Sequence, residues 1–128
     1  MAVILEPMSG NDLMINWWNW RPTVALLVRA GILPDGERAE RCLGNGYGGH
    51  LSENEALRAA EYLDTLLTTM KSDQRILFDG AVTNQPIDFE KPISDWDEAE
   101  TWNHYSAQYD VLKTVADFCR RSGGFVVL

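Results

Sequence analysis

The chain has 128 residues, of which 45% are hydrophobic and 23% are charged, and its formal net charge is -8 at pH 7. This size and composition predict one soluble globular domain over residues 1–128, and they exclude a disordered chain, a collagen-like fibre and a disulfide scaffold. The negative charge repels phosphate backbones and anionic lipid surfaces, so we expect no nucleic acid and no membrane as a partner. A basic protein or a small molecule fits this charge better.

Two cysteines, Cys42 and Cys119, lie far apart and form no C-x-x-C motif. This usage predicts two free thiols in a reducing compartment. The opening residues MAVILEP have no basic residue ahead of their short apolar run, so they do not predict a signal peptide, and no apolar stretch is long enough to predict a transmembrane helix. We therefore expect a cytoplasmic protein.

The first predicted helix begins near Pro22, because proline favours the first helical position, and it ends near Gly31 and Pro34. Apolar residues at helical spacing give this helix one buried side, and they are Val24, Leu27, Val28 and Ile32. A short second helix is predicted over residues 35–43, just before a run of glycines.

Ser52 followed by Glu55 predicts a capping box at the start of a third helix. Its expected apolar stripe consists of Leu57, Ala60, Leu63, Leu67 and Met70. Residues 74–94 predict a long connection with a turn at Asp79-Gly80 and a short hairpin around it.

Residues 95–122 predict one long helix, because apolar residues recur at steps of three and four and acidic residues crowd its start. Gly123 is a suitable residue for its C-terminal end. The tail FVVL predicts a short strand that pairs with either the AVIL segment at 2–5 or the LMIN segment at 13–16. The expected fold class is therefore α+β and mainly helical, with three principal helices and a minimal β hairpin or a short C-terminal strand.

The spacing of Gly44, Gly46 and Gly49 matches the G-x-G-x-x-G pattern of dinucleotide-binding loops. Such a loop needs a buried strand directly before its glycines and a βαβ unit around it. The preceding residues GERAERC are charged and lack strand character. We therefore interpret the glycines as a tight loop between two helices and predict no nucleotide cofactor.

A metal site and a catalytic site are not predicted either. The soft metal ligands of the chain match no zinc-binding spacing, and they are Cys42, His50, His104 and Cys119. The acidic residues within 95–100 are explained by the favourable effect of negative charge at a helix start. Because no nucleophile lies in a recognisable motif, we expect no catalytic residues, no metal and no cofactor.

The segment NWWNWRP at 16–22 concentrates three of the five tryptophans beside an arginine and two asparagines. One interpretation is an aromatic platform that binds a sugar, a base or a partner's side chain. The other is that the rings anchor the first helix in the core. With the adjacent loop at 44–50, this segment supplies the candidate binding residues Trp17, Trp18, Trp20, Arg21, Tyr47 and His50.

Three stretches, NWWNWRP at 16–22, GNGYGGHLS at 44–52 and FCRRSGGFVVL at 118–128, resemble in their order a family of small uncharacterised bacterial proteins. The resemblance implies one compact cytoplasmic domain, and it carries over no functional residue. The start typical of that family corresponds to Met8, which implies that residues 1–7 are either an extension or the result of a misplaced start codon. This chain has a glycine-rich turn where the family has an acidic one, which argues against a cation-binding loop.

These observations favour a non-catalytic interaction protein of the bacterial cytoplasm, with an inhibitor-like or immunity-like role and a basic partner. The alternative is a small enzyme with a pocket at residues 17–21 and the loop 44–50. A homo-oligomer without a ligand is the third reading. The sequence leaves open the oligomeric state, and it leaves open whether the tryptophans are buried.

Overall fold

A computed structural model describes residues 2–44, 46, 48–87 and 92–128 of the chain. Its strands are β1 at Ala2–Pro7, β2 at Leu13–Asn16, β3 at Gly49–Leu51, β4 at Arg75–Leu77, β5 at Val82–Thr83, β6 at Ser106–Gln108 and β7 at Phe125–Val127. Its helices are α1 at Trp17–Arg29, α2 at Glu37–Arg41, α3 at Glu53–Thr69, α4 at Glu98–His104 and α5 at Tyr109–Ser122, with a short 3-10 helix at Ile93–Asp95.

The strands form two antiparallel sheets, one with the order β2-β1-β7-β3 and one with the order β5-β4-β6. One face of the first sheet joins the apolar sides of α1, α3 and α5 in a common core. The ring of Phe125 lies at the centre of this core, with the edges of Trp20 at 6.3 Å and Phe118 at 5.3 Å between ring centroids. The other face of the first sheet carries the exposed residues of the alternating pattern in β1.

The prediction of a minimal hairpin or a single short strand is wrong, because the described residues contain two sheets and the fold is α+β with substantial sheet. The strands are two to six residues long, and several pair with segments far away in the sequence. Short runs of this kind give a weak local signal. The AVIL segment does pair with β7, whereas the LMIN segment pairs with β1.

Helix α1 begins at Trp17 rather than near Pro22. The side chain of Asn16 caps it by accepting a hydrogen bond from the backbone N–H of Asn19 at 2.9 Å. Pro22 lies within the helix and is buried there, which removes one backbone donor. The tryptophan segment is therefore helical, and Trp18 points away from the side of the helix that Trp17 and Trp20 share.

The prediction of one long helix over residues 95–122 is also wrong, because β6 separates α4 from α5. The buried guanidinium of Arg75 donates hydrogen bonds to the carbonyl oxygen of Asn103 and to the hydroxyl of Ser106. The backbone N–H of Gln108 donates to the side chain of Asn19 at 2.8 Å. These contacts from distant segments replace the hydrogen bonds that a continuous helix would make.

The capping box of α3 is confirmed, since Ser52 and Glu55 each bond the other's backbone N–H. Leu57 was expected in its buried stripe and is instead 45% exposed, because Ala56 and Ala59 face the core. The hairpin at Asp79-Gly80 is confirmed by the pairing of β4 with β5. Gly123 ends α5 in the left-handed conformation, as predicted.

Candidate functional site

The first candidate residue, Trp20, lies entirely in the core, with 0% of its surface exposed. Its indole N–H donates a hydrogen bond to the carbonyl oxygen of Cys42 at 2.6 Å. This bond joins α1 to the start of the glycine-rich loop. For Trp20 the structure supports the interpretation of a core anchor, because a side chain without exposed surface makes no contact with a partner.

Trp17 and Arg21 form a second unit on the same turn of α1. The guanidinium carbon of Arg21 lies 4.1 Å from the centroid of the Trp17 ring, which is a cation–π contact. Arg21 Nε also donates to the carbonyl oxygen of Leu43 at 3.3 Å. The half-buried Trp17 packs against the core. Both residues therefore help to hold the loop that follows Leu43.

Trp18 points elsewhere and belongs to an aromatic cluster at the second sheet. The centroid of its ring lies 4.4 Å from that of Tyr105 and 5.6 Å from that of Trp96. The ring of Trp96 in turn stacks on His104 at 3.6 Å with an interplanar angle of 19°. Trp18, Trp96 and Tyr105 are half-buried, and His104 is buried. This cluster joins α1 to α4 and its flanking segments.

The glycine-rich loop is shaped by close packing at two of its glycines. A Cβ atom on Gly44 would lie 2.0 Å from Cγ1 of Val3, and one on Gly49 would lie 2.4 Å from the backbone nitrogen of Cys42. The predicted loop lies between the helices α2 and α3, but it leads first into strand β3, which the sequence did not predict. Asn45 and Tyr47 lie outside the described residues, which leaves the candidate Tyr47 without a position.

The last candidate, His50, has an exposed side chain on β3. It borders a groove of about 250 Å³, whose other lining residues are Glu37, Arg38, Arg41, Gly48 and Gly49. Arg38 is held by a bidentate ion pair with Glu55 at 2.8 and 2.5 Å, and Arg41 pairs with Glu37 at 2.5 Å. Trp18 does not line this groove. Arg21 is also absent from the described residues that line this groove.

Neither cysteine is suited to act as a nucleophile. Burial raises the pKa of the Cys42 thiol to about 11 and that of the Cys119 thiol to about 12. Both are free thiols, in agreement with the prediction. At neutral pH the reactive thiolate is therefore scarce at both positions.

A surface that the sequence reading missed lies on the outer face of the first sheet. Met14 on β2 is paired with Ile4 on β1, and Ile4 exchanges backbone hydrogen bonds with Leu128, which follows β7. These neighbours form a row in which Met14 is 69%, Ile4 37% and Leu128 43% exposed. The solvent face of an antiparallel sheet is ordinarily polar. We call this set of three residues the apolar row.

Charged residues lie directly beside the apolar row. Glu6 is exposed on β1, two positions beyond Ile4, and it pairs with Val126 of β7. His50 pairs with Val126 from the other side. The exposed Asp12 precedes Leu13, the residue that pairs with Leu5. The outer face thus combines an apolar row with two carboxylates along one side of it.

One sequence signal pointed to this face. The LMIN segment has three apolar residues in succession, whereas a strand with one face in water alternates apolar and polar residues. Ile4 breaks the same alternation in β1. Both departures from alternation are visible in the sequence. The sequence predicted these two segments only as alternative partners of the C-terminal strand, so the departures could not be assigned to one face of a sheet.

Within the described part of the chain, no group of three or more histidine, cysteine, aspartate or glutamate residues is placed to hold a metal ion. The described helices include none with both the length and the apolar character needed to cross a bilayer. No protein family, no curated protein and no solved structure matches this chain. The resemblance noted from the sequence therefore stays a prediction.

Proposed function

We propose that this chain is a non-catalytic interaction protein that binds a protein partner through the outer face of its first sheet. The observation that carries the proposal is the apolar row of Met14, Ile4 and Leu128. Water-exposed apolar residues that adjoin one another are a common feature of protein-binding surfaces, whereas isolated ones need no explanation. Ile4 and Met14 lie on paired strands, and two backbone hydrogen bonds join Leu128 to Ile4, so the row is held by strand-type pairing.

The charge beside the row indicates the chemistry of the partner. Glu6 and Asp12 lie next to the row, and the whole chain carries a net charge of -8. A partner with apolar side chains beside one or two lysines or arginines would match both features. Opposite charges of this kind mainly accelerate association. An inhibitor-like or immunity-like role, in which the chain covers a basic surface, agrees with this description.

A cytoplasmic location is part of the same proposal. It is supported by the two buried free thiols, since oxidising compartments favour disulfides. Among the candidate residues that the structure describes, His50 borders the outer face and would contact the partner directly. Trp17 and Arg21 would act indirectly, because they hold the loop that precedes β3.

The experiment compares immobilised wild-type protein with the double variant Ile4→Thr, Leu128→Thr in capture from a native lysate. Threonine is β-branched, as strands favour, and it removes apolar surface at both positions. The matched control is Leu57→Thr, Val82→Thr, which removes two exposed apolar side chains elsewhere. We expect the wild type and the control to retain the same basic protein and the face variant to lose it.

The captured protein is then purified, and its association rate is measured at low and high salt. The proposal expects a rate that falls steeply as salt is added, because attraction between exposed charges is screened. If the face variant still retains the captured protein, the proposed surface is contradicted. If the association rate does not depend on salt, the proposed basic charge of the partner is contradicted.

A further inference from the structure

The free edge of β2 carries backbone groups that point away from the sheet. Ile4 exchanges both of its backbone hydrogen bonds with Leu128, at 3.4 and 2.9 Å. In antiparallel sheets these bonds alternate between the two sides of a strand, so the residues on either side of Ile4 bond to β2. Their partners there are Leu13 and Ile15. The N–H and C=O groups of Met14, which lies between them, therefore point toward the free edge.

Apart from its short length of four residues, this edge lacks the features by which exposed strands usually avoid pairing. Natural edge strands carry charged residues, proline or bulges that prevent another chain from adding to the sheet. The four residues of β2, LMIN, are uncharged and contain no proline, and their pairing with β1 is regular over the whole strand. Met14, in its middle, has the second most exposed apolar side chain named among the described residues.

We propose that the edge of β2 binds the same edge of a second copy of this chain, in antiparallel pairing about a two-fold axis at Met14. In this register, Met14 lies opposite Met14 of the second copy, and the two residues exchange their outward N–H and C=O groups. Leu13 lies opposite Ile15, and both face the core side of the sheet. Asp12 lies opposite Asn16, so each carboxylate meets an amide.

The chemistry of the edge favours a second copy over a charged partner. A basic protein would find no charged residue on β2 itself, whereas a second copy brings apolar residues to apolar residues and no like charges into contact. Identical edges also satisfy each other's hydrogen bonds without any further requirement. The inference rests on the geometry of this edge alone, and it does not depend on the partner proposed for the outer face.

Pairing at this edge has a consequence for the outer face. The apolar row would continue across the two-fold axis and become six residues wide, in one sheet of eight strands. The strand pairing itself covers much less than the roughly 800 Å² per partner of a stable interface. We therefore expect a weak dimer that dissociates on dilution.

The first test is sedimentation of the full chain over a concentration range from about 10 to 500 µM, which covers weak interfaces of this kind. The wild type should shift from monomer to dimer as its concentration rises. Met14→Lys places two ammonium groups opposite each other and should raise the dimer dissociation constant at least about tenfold. Leu57→Lys adds the same charge to an exposed position on α3 and should leave the dissociation constant unchanged.

The second test does not depend on the strength of the dimer. Cα atoms of a hydrogen-bonded antiparallel pair are about 5.5 Å apart, which is within the range that a disulfide spans. Met14→Cys should therefore form a covalent dimer under mild oxidation at least about tenfold faster than Leu57→Cys. The native cysteines are buried and do not compete.

The inference is overturned if the wild type stays monomeric through the whole range and Met14→Cys cross-links no faster than Leu57→Cys. It is also overturned if a dimer forms that Met14→Lys does not weaken, or if the associated species is larger than a dimer. Loss of capture by the face variant, together with a monomeric wild type and no faster cross-linking of Met14→Cys than of Leu57→Cys, would leave the proposed function standing and remove this inference alone.

Discussion

Gly44 and Gly46 lie in the same loop and both have positive φ, at +93° and +77°, but only Gly44 is closely packed. A Cβ atom on Gly44 would lie 2.0 Å from Cγ1 of Val3 and 3.4 Å from the indole nitrogen of Trp17. A Cβ atom on Gly46 would have no atom of the described residues within 4 Å, its two chain neighbours set aside. The substitutions Gly44→Ala and Gly46→Ala therefore share backbone strain, and they differ in the steric clash.

The expected magnitudes follow from these two terms. Left-handed backbone at an alanine costs about 1–2 kcal/mol. Overpacking against Val3, which is fixed in a central strand, adds about 1–3 kcal/mol. We expect Gly46→Ala to lower the free energy of unfolding by about 1–2 kcal/mol, and Gly44→Ala to lower it by about 2–5 kcal/mol. For a domain of this size, each 1 kcal/mol corresponds to about 4 °C in Tm.

The assay is urea unfolding followed by circular dichroism, with thermal melts of the same three proteins. A larger loss for Gly44→Ala would support the view that the glycine run serves the close approach of the loop to β1. Equal losses for the two variants would refute the reasoning, because the clash with Val3 would then contribute nothing. The G-x-G-x-x-G spacing would in that case need a different explanation.

Three further predictions concern the strands, one ion pair and the thiols. A chain that starts at Met8 lacks the central strand Ala2–Pro7 and should lose cooperative thermal unfolding; an unchanged Tm would instead support the extension implied by the resemblance. Burial opposes ionisation of Glu55, but hydrogen bonds from Arg38 and from Ser52 outweigh it and lower the pKa of this carboxyl below its ordinary 4.5. The stabilisation is therefore complete above about pH 4.5 and is lost as the pH falls through the folded-state pKa, so Glu55→Gln should reduce the loss of Tm between neutral and acidic pH. Both thiols should resist a thiol-specific reagent at pH 8 in the folded chain and react in urea, since burial raises the pKa of each; rapid labelling without denaturant would show that the core opens easily.

The parts of the fold that the sequence predicted correctly depend on residues close together in the chain. The capping box of Ser52 and Glu55 spans one helical turn, and the hairpin at Asp79-Gly80 is closed by a bond from Ala81 N–H to the Asp79 carboxylate at 2.9 Å. Gly123 ends α5 through its own backbone conformation. In each case the deciding interaction is local, so the residue types alone are informative.

The parts that were predicted wrongly depend on contacts between distant residues. Residues 95–122 do show helical periodicity. However, the guanidinium of Arg75 donates hydrogen bonds to the carbonyl oxygen of Asn103 and to the hydroxyl of Ser106, and strand β6 forms in the middle of this segment. Periodicity within a window contains no information about a buried arginine some 30 residues earlier. The start of α1 is a different case, because the residue type of Asn16 is itself a good N-cap signal. The prediction placed the helix start at Pro22 instead, since proline is favoured at the first helical position.

The candidate site shows the same division. The tryptophans were grouped as one surface in the sequence, but the helix turns Trp18 away from the other two. Trp18 packs on Tyr105, whereas Trp17 and Trp20 lie on the side of the glycine-rich loop, and Trp20 is fully buried there. The apolar row could not be grouped in advance, because its members come from residues 4, 14 and 128. Only the strand pairing brings them together.

The pairing of β1 with β7 bears on how the chain reaches its fold. It joins Leu5 to Val127 across nearly the whole sequence, and closing a loop of that length costs about 2 kcal/mol more than closing one of ten residues. Such non-local pairing is characteristic of slow folding, in the range of milliseconds to seconds. During synthesis, at about 5–20 residues per second, β1 waits on the order of 10 seconds for β7 to be made. Over that interval β1 can pair with β2 but not with β7, so one edge of β1 stays unpaired until the C-terminus is made.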